Sequence, residues 1–255
     1  MKNVFGYPEF DAEGEEILCT YDNAYSDMLM DIRVYRMEPG RKRGFCRRGE
    51  ETAVLLLSGT VTFGWEGRTE TVSRRDVFTD GPYALHACAG EEITVEAQTD
   101  AEILVQCTKN DTAFSGRLYR PEDAPWVYSC VGKFGNVAKR RVNTIFDKDI
   151  APWSNMVLGE VLNDRGNWSG YLPHRHPQPE CYYFKFDRPE GFGASFVGDQ
   201  VFKSVDNSFG FSLQTGVMHA NRAGDIDPYI VPFLMSKGME LDDILHGLSK
   251  NGGLL

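Results

Sequence analysis

The sequence predicts an all-β fold of two antiparallel β-barrels, or jelly rolls, with a short helix near the C-terminal end. Short apolar or alternating runs separated by glycine-containing turns recur along both halves of the chain, which is typical of antiparallel sheets. Only residues 239–248, MELDDILHGL, have the apolar spacing of a helix. The two halves can also be aligned with each other, which favours a duplicated barrel.

The first half begins with polar turn formers in residues 1–25, which we expect to form an arm or an edge strand. Alternating residues in 28–37 predict a strand. From Glu51, the segment ETAVLLLSGTVTFGWEGRTETVSRRDVF is interpreted as three strands with breaks at glycines such as Gly59 and Gly64. The segment EEITVEAQTDAEILVQCT predicts two more short strands.

Residues 109–138, with Pro121 and Pro125, are predicted to be an irregular connection between two domains. The first domain would span residues 1–108 and lack metal ligands, and the second would span residues 139–255 and bind the metal. The second half repeats the pattern of short predicted strands in the segments NMVLGEVL, GYLPHRH, ECYYFKF, GFGASFV, QVFKSV and YIVPFLM.

The balance of charges excludes some classes of partner. With 27 basic and 37 acidic residues, the formal net charge is −10, which argues against general binding to nucleic acid or to an anionic membrane. An anionic substrate therefore needs locally placed cations. The six cysteines form no CxxC pair, so we interpret them as free thiols, and no apolar stretch reaches the length of a membrane span. We expect a cytoplasmic protein.

Four side chains with metal-ligand chemistry occur in the second half. His174 and His176 are two residues apart, so in a strand both project from the same face. Prolines then end that strand, Glu180 opens the next apolar run, and His219 follows a glycine turn far downstream. Three neutral imidazoles and one carboxylate can bind a divalent cation and leave positions open for substrate. Exposed or hydrogen-bonded strand histidines are the alternative interpretation.

This pattern, HxHxxxE followed by GxxH, resembles the metal site of cupins. The segments GNWSGYLPHRH and ECYYFKF are similar to the 5-deoxy-glucuronate isomerases of inositol catabolism, and the 5-keto-4-deoxyuronate isomerases carry a related pattern. The segments TDGPYALHACAGEEITVEAQTDAEI and VGKFGNVAKRRVNTI also resemble the first family. The resemblance therefore extends over most of the chain.

The resemblance implies a cupin that isomerises 5-deoxy-glucuronate to 5-dehydro-2-deoxy-gluconate in inositol catabolism. Together with the alignment of the two halves, it predicts a duplicated cupin, or bicupin. Zinc is the expected cofactor, although manganese and iron use the same ligands. The expected partner is a small anionic sugar acid, and association into a homo-oligomer through exposed strands is compatible with the resemblance. The interval between His176 and Glu180 is shorter than is typical of this family and closer to that of the 5-keto-4-deoxyuronate isomerases.

The 5-keto-4-deoxyuronate isomerase activity is accordingly the enzymatic alternative. A non-catalytic cupin that binds a sugar acid is a second alternative, and a metal-dependent dioxygenase with the same ligands is a third. Neither the metal nor the general base of the reaction follows from the residue types alone.

Strand alternation assigns further residues to the predicted site. Tyr182 shares a face with Glu180 and would move a proton or bind a substrate oxygen, although an aromatic that only lines the barrel would occupy the same position. Lys185 should face the other way. Arg141, or its neighbour Arg140, is a candidate for binding the substrate carboxylate, as is Gln214 for binding a substrate hydroxyl.

The alignment of the two halves places Glu51 opposite Glu180, and Phe45 and Arg47 opposite the two strand histidines. The first half has therefore lost the histidine pair, and we expect its role to be structural. His86 is expected to be a structural histidine without site partners.

Overall fold

The computed structural model is mostly β, with two short α-helices. It divides into two compact units, Met1–Val197 and Gly198–Leu255. The described strands form open sheets, so the predicted pair of closed barrels stays a prediction. The structure describes residues 6–23, 25–169, 177–193, 195 and 229–251.

Nine of the described strands form one large sheet. Strands β1, β2, β8, β4, β6 and β9 are neighbours in that order, while β5 and β7 also pair with β4, and β3 pairs with β7. All these pairings are antiparallel, as predicted. The strands are β1 (Glu15–Cys19), β2 (Met30–Met37), β3 (Lys42–Phe45), β4 (Glu50–Trp65), β5 (Arg68–Arg74), β6 (Tyr83–Ala87), β7 (Ile93–Ala97), β8 (Ala101–Lys109) and β9 (Arg117–Tyr119).

Strand β4 lies at the centre of this sheet and pairs with four other strands. It corrects the prediction that Gly59 and Gly64 separate short strands. The glycines predicted to break it do not end the strand, which continues for 16 residues. Gly59 has a φ of 98° and lies so close to Asp100 that a Cβ would stand 2.4 Å from the Asp100 carbonyl oxygen. The register against β8 shifts just before it, between Leu56 and Ser58. Glycine therefore lets one strand bend and pair with different neighbours along its length.

The inner face of the large sheet encloses the main hydrophobic core. Apolar side chains from β2 to β8 pack together there, and Val54, Leu56, Phe63 and Ile103 are fully buried. These side chains are buried because residues alternate between the two faces of a strand, so every second side chain of β4 points to this core.

A second, smaller sheet packs against the outer face of the large one. It contains β10 (Val127–Ser129), β11 (Arg140–Phe146) and β12 (Leu158–Asn163), in that order. Apolar residues of β11 and β12 share a core with outward-facing residues of the large sheet. The predicted connection, residues 109–138, is only partly irregular, since it contains β9, β10 and a 3-10 helix at Lys133–Asn136. Another 3-10 helix spans Ser26–Met28.

The second unit contains two described helices, α1 (Ile230–Ser236) and α2 (Leu241–Lys250). Helix α2 confirms the predicted terminal helix, but α1 replaces the strand predicted for YIVPFLM. A short apolar run does not distinguish strand from helix by periodicity. Pro232 lies in the first turn of α1, where its missing N–H costs no helical hydrogen bond. Among the described helices, none has the length and apolar character needed to cross a membrane.

Candidate active site

The predicted site residues fall into two groups. Glu180, Tyr182 and Arg141 are described by the structure. His174, His176, Gln214 and His219 lie outside the described residues. Their assignments as metal ligands and as a substrate-binding residue stay predictions.

The run from Glu180 to Phe186 keeps the predicted alternation of side chains, although no sheet strand is assigned to it. Tyr182 is 61% exposed and Phe184 60% exposed, and their rings stack with centroids 6.2 Å apart. Tyr183 and Lys185, on the opposite face, are only half-buried and contact the large sheet. The prediction that Lys185 faces away from Tyr182 is therefore confirmed.

Glu180 and Tyr182 are directly connected on the exposed face. The Tyr182 hydroxyl donates a hydrogen bond to Glu180 Oε2 at 3.0 Å. Partial burial and the hydrogen bond to the Glu180 carboxylate raise the pKa of Tyr182, while the charge of Arg140 acts in the opposite direction. The phenol therefore holds its proton at neutral pH in this arrangement and can donate it.

The two arginines of β11 differ in their surroundings. Arg140 lies close enough to Tyr182 for its charge to act on the phenol, and its guanidinium lies 3.4 Å from Cys130 Sγ. The guanidinium of Arg141 instead lies 5.7 Å from the centre of the Trp126 ring. Successive residues of a strand point to opposite faces. The structure thus favours Arg140 over Arg141 as the cation beside Tyr182, a choice that the sequence alone left open.

The inner face of the run is attached to two acidic residues of the large sheet. The Tyr183 hydroxyl donates to Glu16 Oε2 at 3.1 Å, and the Lys185 ammonium forms an ion pair with Glu102. Burial raises the pKa of Glu16, and the neighbouring carboxylate of Glu102 adds to this rise. Sequence analysis gave Tyr183 no role, since its partner is 167 residues away in the chain.

His86 has a partner, contrary to the sequence-based expectation. Its Nε2 lies 2.9 Å from Glu51 Oε2, and both side chains are essentially inaccessible to solvent. Glu51 Oε1 accepts a hydrogen bond from the Asn155 amide at 2.6 Å, and the His86 ring stacks on Phe146. The pair is enclosed on the outer face of the large sheet, so it serves packing, as the expected structural role requires.

The donor chemistry of the predicted ligand set suits zinc, manganese or iron. Within the described part of the chain, no group of three or more histidine, cysteine, aspartate or glutamate side chains could hold a metal ion. Glu180 is the predicted ligand whose position is known, and its exposed face is accessible to an incoming cation.

Comparison with protein families identifies two segments of the chain. Residues 7–209 match the KduI/IolB family, and residues 190–255 match the Acetokinase family. His174, His176 and Glu180 lie within the first match, whereas His219 lies only within the second. The beginning of the second match falls near the boundary between the two compact units, at Val197 and Gly198.

Two relatives illustrate this division. The 5-deoxy-glucuronate isomerase of Geobacillus kaustophilus (strain HTA426) is 30% identical over 173 residues, which are 63% of this chain and 61% of that enzyme. The acetate kinase of Bacillus subtilis (strain 168) is 42% identical over 66 residues, which are 26% of this chain and 17% of the kinase. This chain thus matches about three fifths of the length of the isomerase.

Among solved structures, an IolB-like protein from Salmonella typhimurium LT2 is similar with a TM-score of 0.48 and 17% identity. That similarity covers 54% of this chain and 52% of the Salmonella protein.

Proposed function

Because the chain belongs to the KduI/IolB family, we propose that it is an aldose–ketose isomerase that converts 5-deoxy-glucuronate to 5-dehydro-2-deoxy-gluconate. The single observation that carries this proposal is the family match across residues 7–209. The name of the Geobacillus relative, 5-deoxy-glucuronate isomerase, supports the same substrate. The finer fold assignment, a bicupin of two barrels, and a cytoplasmic location belong to the proposal as well.

The proposed metal ligands are His174, His176, Glu180 and His219, with zinc as the expected ion and manganese or iron as alternatives. A divalent cation at these ligands would supply the positive charge that stabilises an enediolate. His219 is the ligand that stands apart, since it lies beyond residue 209, where the family match ends.

The described residues have distinct proposed roles. The Tyr182 hydroxyl, whose hydrogen bond to Glu180 keeps it close to the ligand, would donate or relay the proton between neighbouring carbon and oxygen atoms of the substrate. Arg140, rather than its neighbour Arg141, would bind the substrate carboxylate, since its charge acts on Tyr182. Gln214 would bind a substrate hydroxyl.

The runner-up substrate is 5-keto-4-deoxyuronate, favoured by the short PQP interval between His176 and Glu180. The test offers both substrates to the purified full chain, with and without a chelator. We expect turnover of 5-deoxy-glucuronate that the chelator abolishes and added zinc restores. Turnover of the ketouronate alone would replace the first substrate with the second. A tight sugar-acid complex returned unchanged would indicate a binding protein instead.

The acetate-kinase-like segment does not lead to a second proposed activity. It corresponds to 17% of the Bacillus subtilis kinase.

A further inference from the structure

We infer that Tyr183 and Lys185 are positioning residues for the site: they fix the run from Glu180 to Phe186 to strands β1 and β8. By doing so they determine where Glu180 and Tyr182 stand. This inference rests on the proposed function, because it concerns the same site, but its first consequence is structural.

Two side-chain contacts hold the inner face of the run against strands β1 and β8. The Tyr183 hydroxyl donates to Glu16 in β1, and the Lys185 ammonium pairs with Glu102 in β8. Each contact involves an odd-numbered residue of the run, as expected where alternate side chains point to the same face.

The two acidic partners are poorly solvated, which makes these contacts strong. Glu16 is 7% exposed and Glu102 is 8% exposed. The two carboxylates also repel each other, since Glu102 raises the pKa of Glu16. The Tyr183 hydroxyl and the Lys185 ammonium offset both the burial of these carboxylates and their repulsion, because buried carboxylates need hydrogen bonds and opposite charge. Arg36 contributes a further cation, with its Nε 3.4 Å from Glu102 Oε2.

The attachment also specifies the register of the run. If the run slid by one residue, Cys181 and Tyr183 would take the exposed face, and Glu180 and Tyr182 would turn to the sheet. Such a slip would place Tyr182 and Phe184 against Glu16 and Glu102. Tyr182 could replace the phenol of Tyr183, but Phe184 could not replace the cation at Glu102, so the ammonium of Lys185 favours one register over its neighbour.

The variants Tyr183→Phe and Lys185→Met test this inference in the full chain. Phenylalanine keeps the ring that packs against the sheet and removes only the hydroxyl, while methionine keeps most of the aliphatic stem. Lys185→Arg retains the cation and should behave like the wild-type protein. Arg165→Gln is the matched control, because it breaks the exposed ion pair with Asp187 at the end of the same run.

Three readouts separate positioning from general stability. Hydrogen exchange of the peptide 179–187 should become faster in Tyr183→Phe and Lys185→Met, with exchange of the β4 peptide unchanged. Zinc affinity, measured by competition with a chromophoric chelator, should fall by about 10-fold, as for partners that orient a ligand. The kcat should fall by a similar factor while KM changes little. Glu16→Gln combined with Tyr183→Phe should add little to either single change.

Unchanged exchange of the 179–187 peptide in both variants would overturn the inference, as would zinc affinity equal to that of Arg165→Gln. A wild-type protein that turns over no sugar acid would overturn the proposed function instead. In that case the exchange and zinc measurements still decide whether Tyr183 and Lys185 position Glu180.

Discussion

Arg74 of β5 and Glu160 of β12 form a bidentate ion pair that joins the large sheet to the three-stranded sheet. Both terminal guanidinium nitrogens donate to the Glu160 carboxylate at 2.8 Å. The Arg74 side chain is completely buried, and it also donates to the carbonyl oxygens of Leu56 and Asp80. Asn143 donates to the same carboxylate at 3.2 Å. The side chain that compensates the buried charge of Arg74 therefore comes from the other sheet.

Removing one partner of this pair should destabilise the protein strongly. Glu160→Gln leaves the Arg74 charge buried without a carboxylate, so the free energy of unfolding in urea should fall by about 3 kcal/mol. The exposed pair of Arg165 and Asp187 provides the control, and Arg165→Gln should cost no more than about 0.5 kcal/mol. Equal small losses in both variants would contradict a cross-sheet role for Arg74.

The lowered pKa of Asp31 predicts how the free energy of unfolding depends on pH. Burial alone would raise its pKa, but hydrogen bonds from Arg33 and the charge of Arg47 outweigh this and lower the pKa below 3.8. The unfolded chain therefore binds this proton more readily than the folded one. The stabilisation from ionised Asp31 is present above about pH 4 and is lost as the pH falls through the folded pKa.

The variant Asp31→Asn tests that sign directly. At about pH 6 it should be less stable than the wild-type protein by roughly 2 kcal/mol, because two arginines lose a charged acceptor. The difference should shrink as the pH falls below about 4, because the unfolded chain then binds this proton and the stabilisation from ionised Asp31 is lost. A difference that stays constant across this interval, measured by urea unfolding at each pH, would contradict the assignment.

The two neighbouring arginines of β11 predict different effects on substrate binding. Arg140→Gln should raise KM for 5-deoxy-glucuronate by about 10-fold, since a charged hydrogen bond contributes roughly 1.5 kcal/mol. Arg141→Gln, with its guanidinium over Trp126, is the matched control and should leave KM nearly unchanged. A larger increase of KM in Arg141→Gln than in Arg140→Gln would assign the carboxylate-binding role to Arg141 instead.

The sequence predicted much of the sheet because alternation and turn residues act locally. Strand β2 is where the alternating pattern places it, and the edge strand β1 lies within the predicted arm or edge strand of residues 1–25. The same logic correctly separated Lys185 from Tyr182. Where a run was too short to show its period, as in α1, propensity and pattern did not distinguish strand from helix.

Hydrogen bonds between residues far apart in the sequence could not be predicted from such local patterns. Glu51 and His86 share a hydrogen bond although they are 35 residues apart in the sequence. Tyr183 donates a hydrogen bond to Glu16, which is 167 residues away. No local pattern encodes these meetings, because they depend on how strands are ordered in the sheet. The match to the Acetokinase family is not predictable from local pattern either, because a short amphipathic helix such as residues 239–248 occurs in many families.

His219 shows where that omission matters for the site. It was assigned as the fourth metal ligand from the GxxH pattern, and it lies in the segment that matches the Acetokinase family. As a proposed ligand, His219 predicts that His219→Ala reduces zinc affinity as much as His174→Ala does. If zinc affinity is retained, the site uses His174, His176 and Glu180 without it.

The most direct measurement of the central claim is the zinc content of the purified protein and of His174→Ala, each measured together with turnover of 5-deoxy-glucuronate. We predict about one zinc per chain and isomerase activity in the wild-type protein, and loss of both in the variant. Full activity of His174→Ala without bound metal would contradict a metal-dependent isomerase built on these side chains.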